Sequence, residues 1–234
     1  MNVAIIAAAG RGSRMVSKTS KQFLLLDGIP VLAHTLKAFE SAKSIDAVII
    51  VGKAKDIDYC RENISSVFGL KKIIAYVIGG RHRQDSVNNA LRVLPGDADI
   101  VVIHDGARPL VTPELIDRTV KETKHWSAVI VGNPVKNTIK LVTTDETVDY
   151  TIDRGQLWAI QTPQAFKANV LIHAHRVAKE AKFYGTDDAT LVEKINHPVR
   201  VIPGDENNIK ITTPIDLTIA EAIIKGRVAK KGKR

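Results

Sequence analysis

The amino-acid sequence predicts an α/β fold with a mostly parallel sheet, helices on both of its faces and a projecting β-arm. Two observations support this prediction. Short runs of β-branched residues alternate with segments of helical periodicity along most of the 234 residues, which is typical of a parallel sheet. The stretch at about 134–154 breaks that alternation. Because 44% of the residues are apolar, the chain can bury a sizeable core, and we expect one domain spanning residues 1–234.

The predicted strands of the sheet are short apolar runs rich in valine and isoleucine. In chain order they are Val3–Ala7, Ala47–Val51, Ile73–Val77, Ile100–Ile103, Ser127–Val131 and Val199–Ile202. After the first strand, Leu32, Leu36 and Phe39 recur at helical spacing and predict the first helix.

Three further helices are predicted from start signals or from periodicity. Thr112 stands in cap position before Pro113, which suits the first position of a helix. Helical periodicity returns at Ala168–Ala181. The last helix is predicted to start at Thr213–Pro214, with Asp216 in capping-box position.

The stretch from Pro134 to Arg154 is predicted to form the β-arm. Apolar and polar residues alternate within TIKLVTTDETVDYTI on both sides of a turn at Thr144–Glu146, as they do in a β-hairpin. A hairpin of this kind cannot bury both faces against its own domain. We therefore expect it to cross to a two-fold related copy of the chain.

Three polar motifs follow three of the predicted strands. AAAGRGSRM follows the first strand, GGRHRQDS the third and HDGARP the fourth. Ligands of open α/β sheets bind outside the carboxyl ends of the strands, so we expect the three motifs to form one site.

The first motif is predicted to bind phosphate groups through its backbone and through two cations. The candidate nucleotide contacts are Ala8, Ala9, Gly10 and Gly12. The two glycines allow a tight turn that presents N–H groups to an anion, and Arg14 and Lys21 add positive charge. The loop is neither a dinucleotide-binding motif, because Met15 replaces the third glycine, nor a P-loop.

The HDGARP motif contains a candidate metal ligand. Asp105 ends a strand beside the predicted phosphate site, where a carboxylate could hold Mg²⁺ together with phosphate oxygens. Arg108 could donate to a second phosphate. The alternative is that Asp105 and Arg108 pair only with each other in a turn, and His104 is expected to pack or to form hydrogen bonds rather than to bind a metal.

Other polar segments leave two interpretations open. Gly80 and Ser86 could contact a base or a ribose, or they could serve only the turn before a helix. Lys210 lies within a short apolar run that reads as a strand, where it could be an edge-strand charge or a phosphate clamp. Asp187 and Asp188 are expected to favour the start of a helix rather than to bind a metal.

No motif presents an activated serine, cysteine or histidine nucleophile. A phosphate monoester is already ionised at neutral pH, so its attack on the α-phosphate of a nucleotide needs cations and alignment rather than a general base. This chemistry accounts for the motifs better than hydrolysis through a protein nucleophile.

Charge and composition limit the partners. The formal net charge of +9 favours anionic ligands, but aromatic residues form only 5% of the chain and do not alternate with the basic clusters, so nucleic acid is not expected. No run of eighteen apolar residues predicts a membrane span, and we expect a cytoplasmic location.

Several motifs together resemble one family. They are AAAGRGSRM with KQF, GGRHRQDSV, VVIHDGARP, DRGQLWAIQTPQAF, GTDDA and NNIKITTPIDL, and they span nearly the whole chain in order. They resemble the 2-C-methyl-D-erythritol 4-phosphate cytidylyltransferases of the non-mevalonate isoprenoid pathway. The resemblance implies a Rossmann-like core, a homodimer formed through the β-arm, CTP and a sugar-alcohol phosphate as substrates, Mg²⁺ as cofactor and pyrophosphate as product.

The resemblance also implies roles for individual residues. Arg14 and Lys21 correspond to transition-state cations, Asp105 to the metal-linked acid, and Gly80 and Ser86 to contacts of the cytosine and ribose. The implied sugar-phosphate contacts are Arg108, Thr138, Arg154 and Lys210.

The chain departs from the family pattern at two positions, with Asn137 in place of an aspartate and Gly106 in place of alanine. A ribitol-5-phosphate cytidylyltransferase is the alternative. The sequences of two motifs, HDGARP and DRGQLWAIQTPQ, favour methylerythritol phosphate as the acceptor.

Overall fold

The computed structural model describes residues 1–10 and 20–231. The predictions for Gly12 and Arg14 therefore lie outside the described residues. The strands are β1 (Asn2–Ala7), β2 (Leu25–Leu26), β3 (Ile29–Pro30), β4 (Ala47–Gly52), β5 (Ile73–Ile78), β6 (Ile100–Asp105), β7 (Ala128–Pro134), β8 (Ile139–Val142), β9 (Val148–Ile152), β10 (Trp158–Lys167) and β11 (Arg200–Pro203). The helices are α1 (Val31–Ser41), α2 (Ile57–Tyr59), α3 (Arg83–Leu91), α4 (Pro113–Trp126), α5 (Ala168–Glu180), α6 (Asp188–Lys194) and α7 (Pro214–Lys231).

Seven strands form the central sheet in the order β11-β7-β10-β6-β1-β4-β5. Strand β1 pairs in parallel with β4 and β6, so that Ile5 lies opposite Ile49 on one side and Ile103 on the other. Strand β10 is antiparallel to both of its neighbours, β6 and β7. The prediction of a mostly parallel α/β sheet is confirmed.

The two faces of the sheet are covered by different helices. Alternate residues of each strand point to opposite faces, so Ile5 joins a buried cluster with α3, α5 and α6, whereas Ile6 joins one with α1 and α4. Both clusters consist largely of fully buried aliphatic side chains, which makes apolar burial the main stabilising contribution to this sheet.

The local signals for helix starts are confirmed. The Thr112 side chain accepts a hydrogen bond from the Leu115 N–H at 3.2 Å, and Pro113 begins α4. At the start of α7, the Asp216 carboxylate accepts hydrogen bonds from the N–H groups of Thr212 and Thr213, both at 2.7 Å. These contacts satisfy backbone donors that a helix leaves unpaired at its first turn.

Two features of the sheet were not predicted correctly. Strand β10 was missed, because Gln161, Thr162 and Gln164 interrupt its apolar pattern and Pro163 lies where the pairing with β7 shifts register. A proline has no N–H for a ladder and is tolerated at such an irregularity. Lys210, predicted to lie in a strand, instead lies in a loop.

The β-arm forms as predicted. Strands β8 and β9 pair antiparallel in a separate two-stranded sheet, with Leu141 opposite Tyr150. The turn between them is closed by a hydrogen bond from the Thr143 N–H to the Thr147 carbonyl at 2.9 Å. The side chains of Leu141, Val148 and Tyr150 are all exposed.

Among the described residues, no helix is both long and apolar enough to cross a membrane.

Candidate active site

A cavity of about 620 Å³ opens at the carboxyl ends of β1, β4, β5 and β6. It is lined by residues that follow each of these strands, including Ala8 after β1, Lys53 after β4, Gly80 after β5 and Ala107 after β6. The three polar motifs therefore meet at one edge of the sheet, as their positions after parallel strands predicted.

The described part of the first loop is held by the KQF segment. The Gln22 amide donates a hydrogen bond to the Ala8 carbonyl at 2.6 Å, and the Ala8 N–H donates to the Val51 carbonyl at 2.7 Å. Lys21 lines the cavity, and its ammonium group donates to the Ile211 carbonyl at 2.9 Å. Ala9 and Gly10 also line the cavity. These contacts place backbone groups and one cation on the same wall.

The second motif brings β5 close to the start of α3. A side chain at Gly80 would place its Cβ 2.3 Å from the Cβ of Asp85, so only glycine fits there without a shift of the backbone. The Gly80 N–H donates to the Ser86 hydroxyl, which in turn donates to the His82 carbonyl, both at 3.0 Å. Ser86 thus serves the turn, as one interpretation expected, and it also lines the cavity.

Asp105, at the end of β6, is surrounded by cations. Its carboxylate lies 2.7 Å from the Lys210 ammonium, 3.4 Å from the Arg83 guanidinium and 3.7 Å from the Arg108 guanidinium. Burial alone would raise the pKa of Asp105, but the charges of Arg83, Lys210 and Arg108 outweigh it and hold the pKa well below its ordinary value. The carboxylate is therefore ionised at neutral pH, and the predicted Asp105–Arg108 pair is part of a larger cluster.

The backbone around Asp105 is fixed by β10. The Asp105 N–H donates to the Thr162 hydroxyl at 3.1 Å, and that hydroxyl lies 3.0 Å from Nδ1 of His104. Nε2 of His104 faces the Arg108 carbonyl at 3.3 Å, so it carries the proton and Nδ1 accepts from Thr162. Burial lowers the pKa of His104 to about 3, which keeps the ring neutral. His104 is thus a hydrogen-bonded packing residue.

Arg83 is held between two carboxylates. Its Nη1 lies 2.5 Å from Asp188, and its Nε lies 3.4 Å from Asp105. On the other side, Asp188 accepts a hydrogen bond from Nε2 of His175 at 3.2 Å. Burial would raise the pKa of Asp188, but the Arg83 charge and the His175 hydrogen bond outweigh it and lower the pKa. Asp187 caps α6 by accepting from the Thr190 N–H at 3.0 Å, as expected.

Sequence reasoning missed several cations of the cavity. In the described part of the chain, five lysine or arginine side chains and one carboxylate, that of Asp105, line it. The five cations are Lys21, Lys53, Arg81, Arg83 and Lys210. Such an excess of positive charge suits a ligand with several negative charges.

The described residues offer few side chains that could bind a metal ion. Within residues 1–10 and 20–231, no cluster of three or more His, Cys, Asp or Glu side chains could hold a metal ion. A Mg²⁺ ion is commonly bound by one or two carboxylates together with water and substrate phosphates. In the described part of the chain, Asp105 is the one carboxylate that lines the cavity, so it fits that role for a metal that arrives with a nucleotide.

Three of the predicted sugar-phosphate contacts do not line this cavity. Arg108 is mostly buried, and its guanidinium donates to the Asn208 carbonyl at 2.8 Å. Thr138 and Arg154 lie at the base of the arm and are exposed. The Arg154 guanidinium donates to the Lys136 carbonyl at 2.6 Å, and neither arm residue lines the cavity of its own chain.

Comparisons with known proteins agree over nearly the whole chain. A family model described as 2-C-methyl-D-erythritol 4-phosphate cytidylyltransferase matches residues 2–226. The enzyme of that name from Pelotomaculum thermopropionicum is 46% identical over 232 residues, which cover 98% of each chain. That from Clostridioides difficile is 46% identical over 221 residues, covering 94% of this chain and 92% of the relative.

Solved structures show the same likeness. The crystal structure of 4-diphosphocytidyl-2C-methyl-D-erythritol synthase from Anaerococcus prevotii has a TM-score of 0.85 and 32% identity, covering 96% of this chain and 98% of that one. The 2-C-methyl-D-erythritol 4-phosphate cytidylyltransferase from Thermus thermophilus has a TM-score of 0.77 and 27% identity, covering 94% and 98%. With the sequence match and the fold in agreement, the chain belongs to the 2-C-methyl-D-erythritol 4-phosphate cytidylyltransferase family.

Proposed function

We propose that this enzyme transfers CMP from CTP to 2-C-methyl-D-erythritol 4-phosphate and releases pyrophosphate, as a cytoplasmic step of isoprenoid precursor synthesis. The observation that carries this proposal is the cavity at the carboxyl edge of the sheet. Among the residues that the structure describes, five cations and one carboxylate line it, in a chain of this family. Two phosphorylated substrates repel each other at neutral pH. A cavity with this charge offsets that repulsion.

The proposed reaction is a direct displacement at the α-phosphorus of CTP. A phosphate oxygen of the acceptor forms the new P–O bond, and the bond between the α-phosphorus and the bridging oxygen of the β-phosphate breaks. The electron pair of that bond leaves with pyrophosphate. Because the attacking phosphate is already ionised, the protein needs to supply alignment and positive charge but no general base.

Each region of the cavity has a proposed part in binding CTP. Backbone groups of Ala8, Ala9, Gly10 and Gly12 are assigned to the phosphates. Arg14 and Lys21 are assigned to the charge on the α-phosphate and the departing pyrophosphate. Gly80 and Ser86 contact the cytosine and the ribose. A pocket shaped by backbone groups at Gly80 excludes purines by size and by leaving polar groups unpaired.

Asp105 and the triphosphate would together hold Mg²⁺, which when bound neutralises charge on the phosphate oxygens. Lys210 lies 2.7 Å from the Asp105 carboxylate and so limits the charge that Asp105 can direct toward a metal. We therefore propose that the protein contributes one ligand to Mg²⁺, the carboxylate of Asp105, and that the substrate phosphates contribute others.

The acceptor phosphate is proposed to lie between two copies of the chain. Lys210 lines the cavity, and Arg108 lies beside Asp105, whereas Thr138 and Arg154 are on an arm that does not reach the cavity of its own chain. A two-fold dimer in which each arm crosses to the other copy would complete both sites. The exposed apolar residues of the arm support this arrangement.

The direct test is to mix the purified enzyme with Mg²⁺, CTP and either 2-C-methyl-D-erythritol 4-phosphate or ribitol 5-phosphate, and to measure pyrophosphate. We expect rapid release with the first acceptor, slower or no release with the second, and little release when ATP replaces CTP. Turnover of ribitol 5-phosphate alone would assign the other acceptor. Release of no pyrophosphate with either acceptor would contradict transferase activity.

A further inference from the structure

A line of charged and polar side chains connects the buried side of α6 to the cavity. It runs from His175 to Asp188 at 3.2 Å, from Asp188 to Arg83 at 2.5 Å, and from Arg83 to Asp105 at 3.4 Å. Asp188 and His175 are each only about 1% exposed in their side chains, so neither can contact a ligand in the cavity. Arg83 is 29% exposed and lines the cavity wall.

We propose that Asp188 and His175 are positioning residues for CMP transfer, which act through Arg83 on Asp105. This inference rests on the proposed function, because it assigns these residues to the same reaction. It extends the residues that serve the reaction to two buried side chains that contact neither the nucleotide nor the acceptor.

The physical basis is the division of one guanidinium between two carboxylates. Nη1 of Arg83 is bound by Asp188, which leaves Nε for the longer contact with Asp105. A planar guanidinium prefers to bind one carboxylate with two parallel hydrogen bonds. Without the Asp188 charge, Arg83 would turn fully toward Asp105 and compete there with Lys210.

His175 supports this arrangement from the opposite side. A carboxylate only accepts hydrogen bonds, so Nε2 of His175 donates to Asp188 and fixes the oxygen that Arg83 does not use. Because the Asp188 carboxylate is buried, each of its oxygens needs a partner, and loss of either partner leaves a buried charge incompletely paired. His175 therefore restrains the direction in which Asp188 faces Arg83.

The first experiment compares substitutions at neighbouring positions. Asp188→Asn is expected to lower kcat/KM for CTP roughly 10- to 100-fold, the usual scale for a residue that orients a ligand-binding group. Asp187→Asn is the matched control, because Asp187 caps the same helix but contacts Gln164 and Thr190 instead of Arg83. It should change kcat/KM less than about twofold. Equal losses in both variants would assign Asp188 to the folding of α6 and overturn the proposal.

A double-mutant cycle tests whether Asp188 acts through Arg83. In an Arg83→Ala background, Asp188→Asn should change kcat/KM by less than about twofold, because the group that it positions is absent. His175→Gln keeps a donor near the position of Nε2 and should retain most activity, whereas His175→Leu should not. Additive losses in the cycle would overturn the proposal.

A third readout does not depend on activity and separates this proposal from the proposed function. The Nε–H signal of Arg83, assigned in ¹⁵N spectra by its loss in Arg83→Lys, should shift and exchange more slowly with solvent in Asp188→Asn, because Nε then binds Asp105 more closely, but not in Asp187→Asn. An unchanged Arg83 signal would overturn the positioning role even if the wild-type enzyme is active. If the wild-type enzyme released no pyrophosphate, the proposed function would fail, and with it the assignment of these residues to that reaction.

Discussion

The edge of the cavity and the β-arm differ in how their side chains are supported. At the cavity, Asp105 is contacted by three cations of its own chain, and Thr162 holds its backbone N–H. In the arm, strands β8 and β9 form a two-stranded sheet of their own, and Leu141, Val148 and Tyr150 are exposed. The chain alone therefore fixes the geometry of the cavity edge, whereas the arm presents apolar surface that a further contact could bury.

The difference also concerns charge. Asp105 in the cavity and Asp145 in the turn of the arm both have a pKa lowered from its ordinary value. For Asp105, burial opposes the shift and neighbouring cations produce it, whereas for Asp145 the largest cause is a hydrogen bond from the Thr143 hydroxyl. The same direction of shift therefore reflects a buried ion cluster in one region and a local turn contact in the other.

The largest expected effect comes from Asp105→Asn. A neutral amide would leave Arg83, Arg108 and Lys210 without the charge that holds them together, so we expect the free energy of unfolding to fall by about 3–5 kcal/mol. Turnover should fall roughly 10²- to 10³-fold. The measurements are chemical denaturation and steady-state pyrophosphate release.

Asp145→Asn is the control for that prediction. Asp145 is exposed, and its hydrogen bonds stay within the turn, so both stability and turnover should match the wild type. If the two aspartate variants lost equal stability, the contrast between a supported cavity edge and an independent arm would be wrong.

The second prediction tests whether the arm completes the site of another copy. Lys21→Ala and Arg154→Ala subunits should each be nearly inactive alone. If the arms cross, every mixed dimer contains one doubly substituted site and one intact site, and random pairing should restore roughly a quarter of wild-type activity by symmetry counting. The measurement is pyrophosphate release from co-expressed subunits carrying different affinity tags.

The control is to isolate the mixed dimers through both tags before the assay, and one intact site in every such dimer should then give roughly half of wild-type activity. Activity no higher than that of the separate variants, in a sample shown to contain mixed dimers, would mean that both residues serve the site of their own chain. In that case the arm would have to bend toward its own cavity, where the structure does not place it.

The third prediction concerns the apolar surface of the arm. Tyr150 is 54% exposed and lies opposite Leu141, so Tyr150→Asp should weaken a dimer formed through this surface by about tenfold or more. Sedimentation at a series of protein concentrations would measure the dissociation constant. Tyr184→Asp is the matched control, because Tyr184 is 57% exposed and lies near α3 and α5 rather than on the arm. Equal effects of the two substitutions would exclude the arm as the specific interface.

Much of the fold could be predicted from the sequence, because its parallel strands are uninterrupted apolar runs with clear boundaries. The convergence of three motifs at one edge followed from that topology. Strand β10 could not be predicted in the same way, since its polar residues Thr162 and Gln164 face partners supplied by distant segments, His104 and Asp187. The polar residues of β10 are therefore explained only by contacts that form when the chain folds.

The site could be predicted where a single motif contained both a candidate ligand and its place at the end of a strand. HDGARP is such a motif, because Asp105 ends β6. The pairing of Arg83 with Asp188 spans 105 residues, and no local pattern relates the two. Lys53 and Arg81 were also missed, because a single cation after a strand is equally typical of an ordinary solvated loop. The density of positive charge in the cavity arises only when the fold brings these separate loops together at one edge of the sheet.

The smallest expected effect separates cations within the cavity. Among the described residues, the ammonium group of Lys53 makes one long hydrogen bond, to the Ser20 hydroxyl at 3.4 Å, whereas Lys21 donates to the Ile211 carbonyl at 2.9 Å. A loosely held, partly exposed lysine contributes mainly long-range attraction, which acts equally on the bound nucleotide and on the transition state. Lys53→Ala should therefore raise the KM for CTP only about three- to fivefold and leave kcat unchanged, and added salt should reduce the difference from wild type.

Lys55→Ala is the control, because it removes a nearby charge that does not line the cavity, and it should change neither constant. A fall in kcat for Lys53→Ala as large as that for Lys21→Ala would show that the positions of the cations matter less than their number.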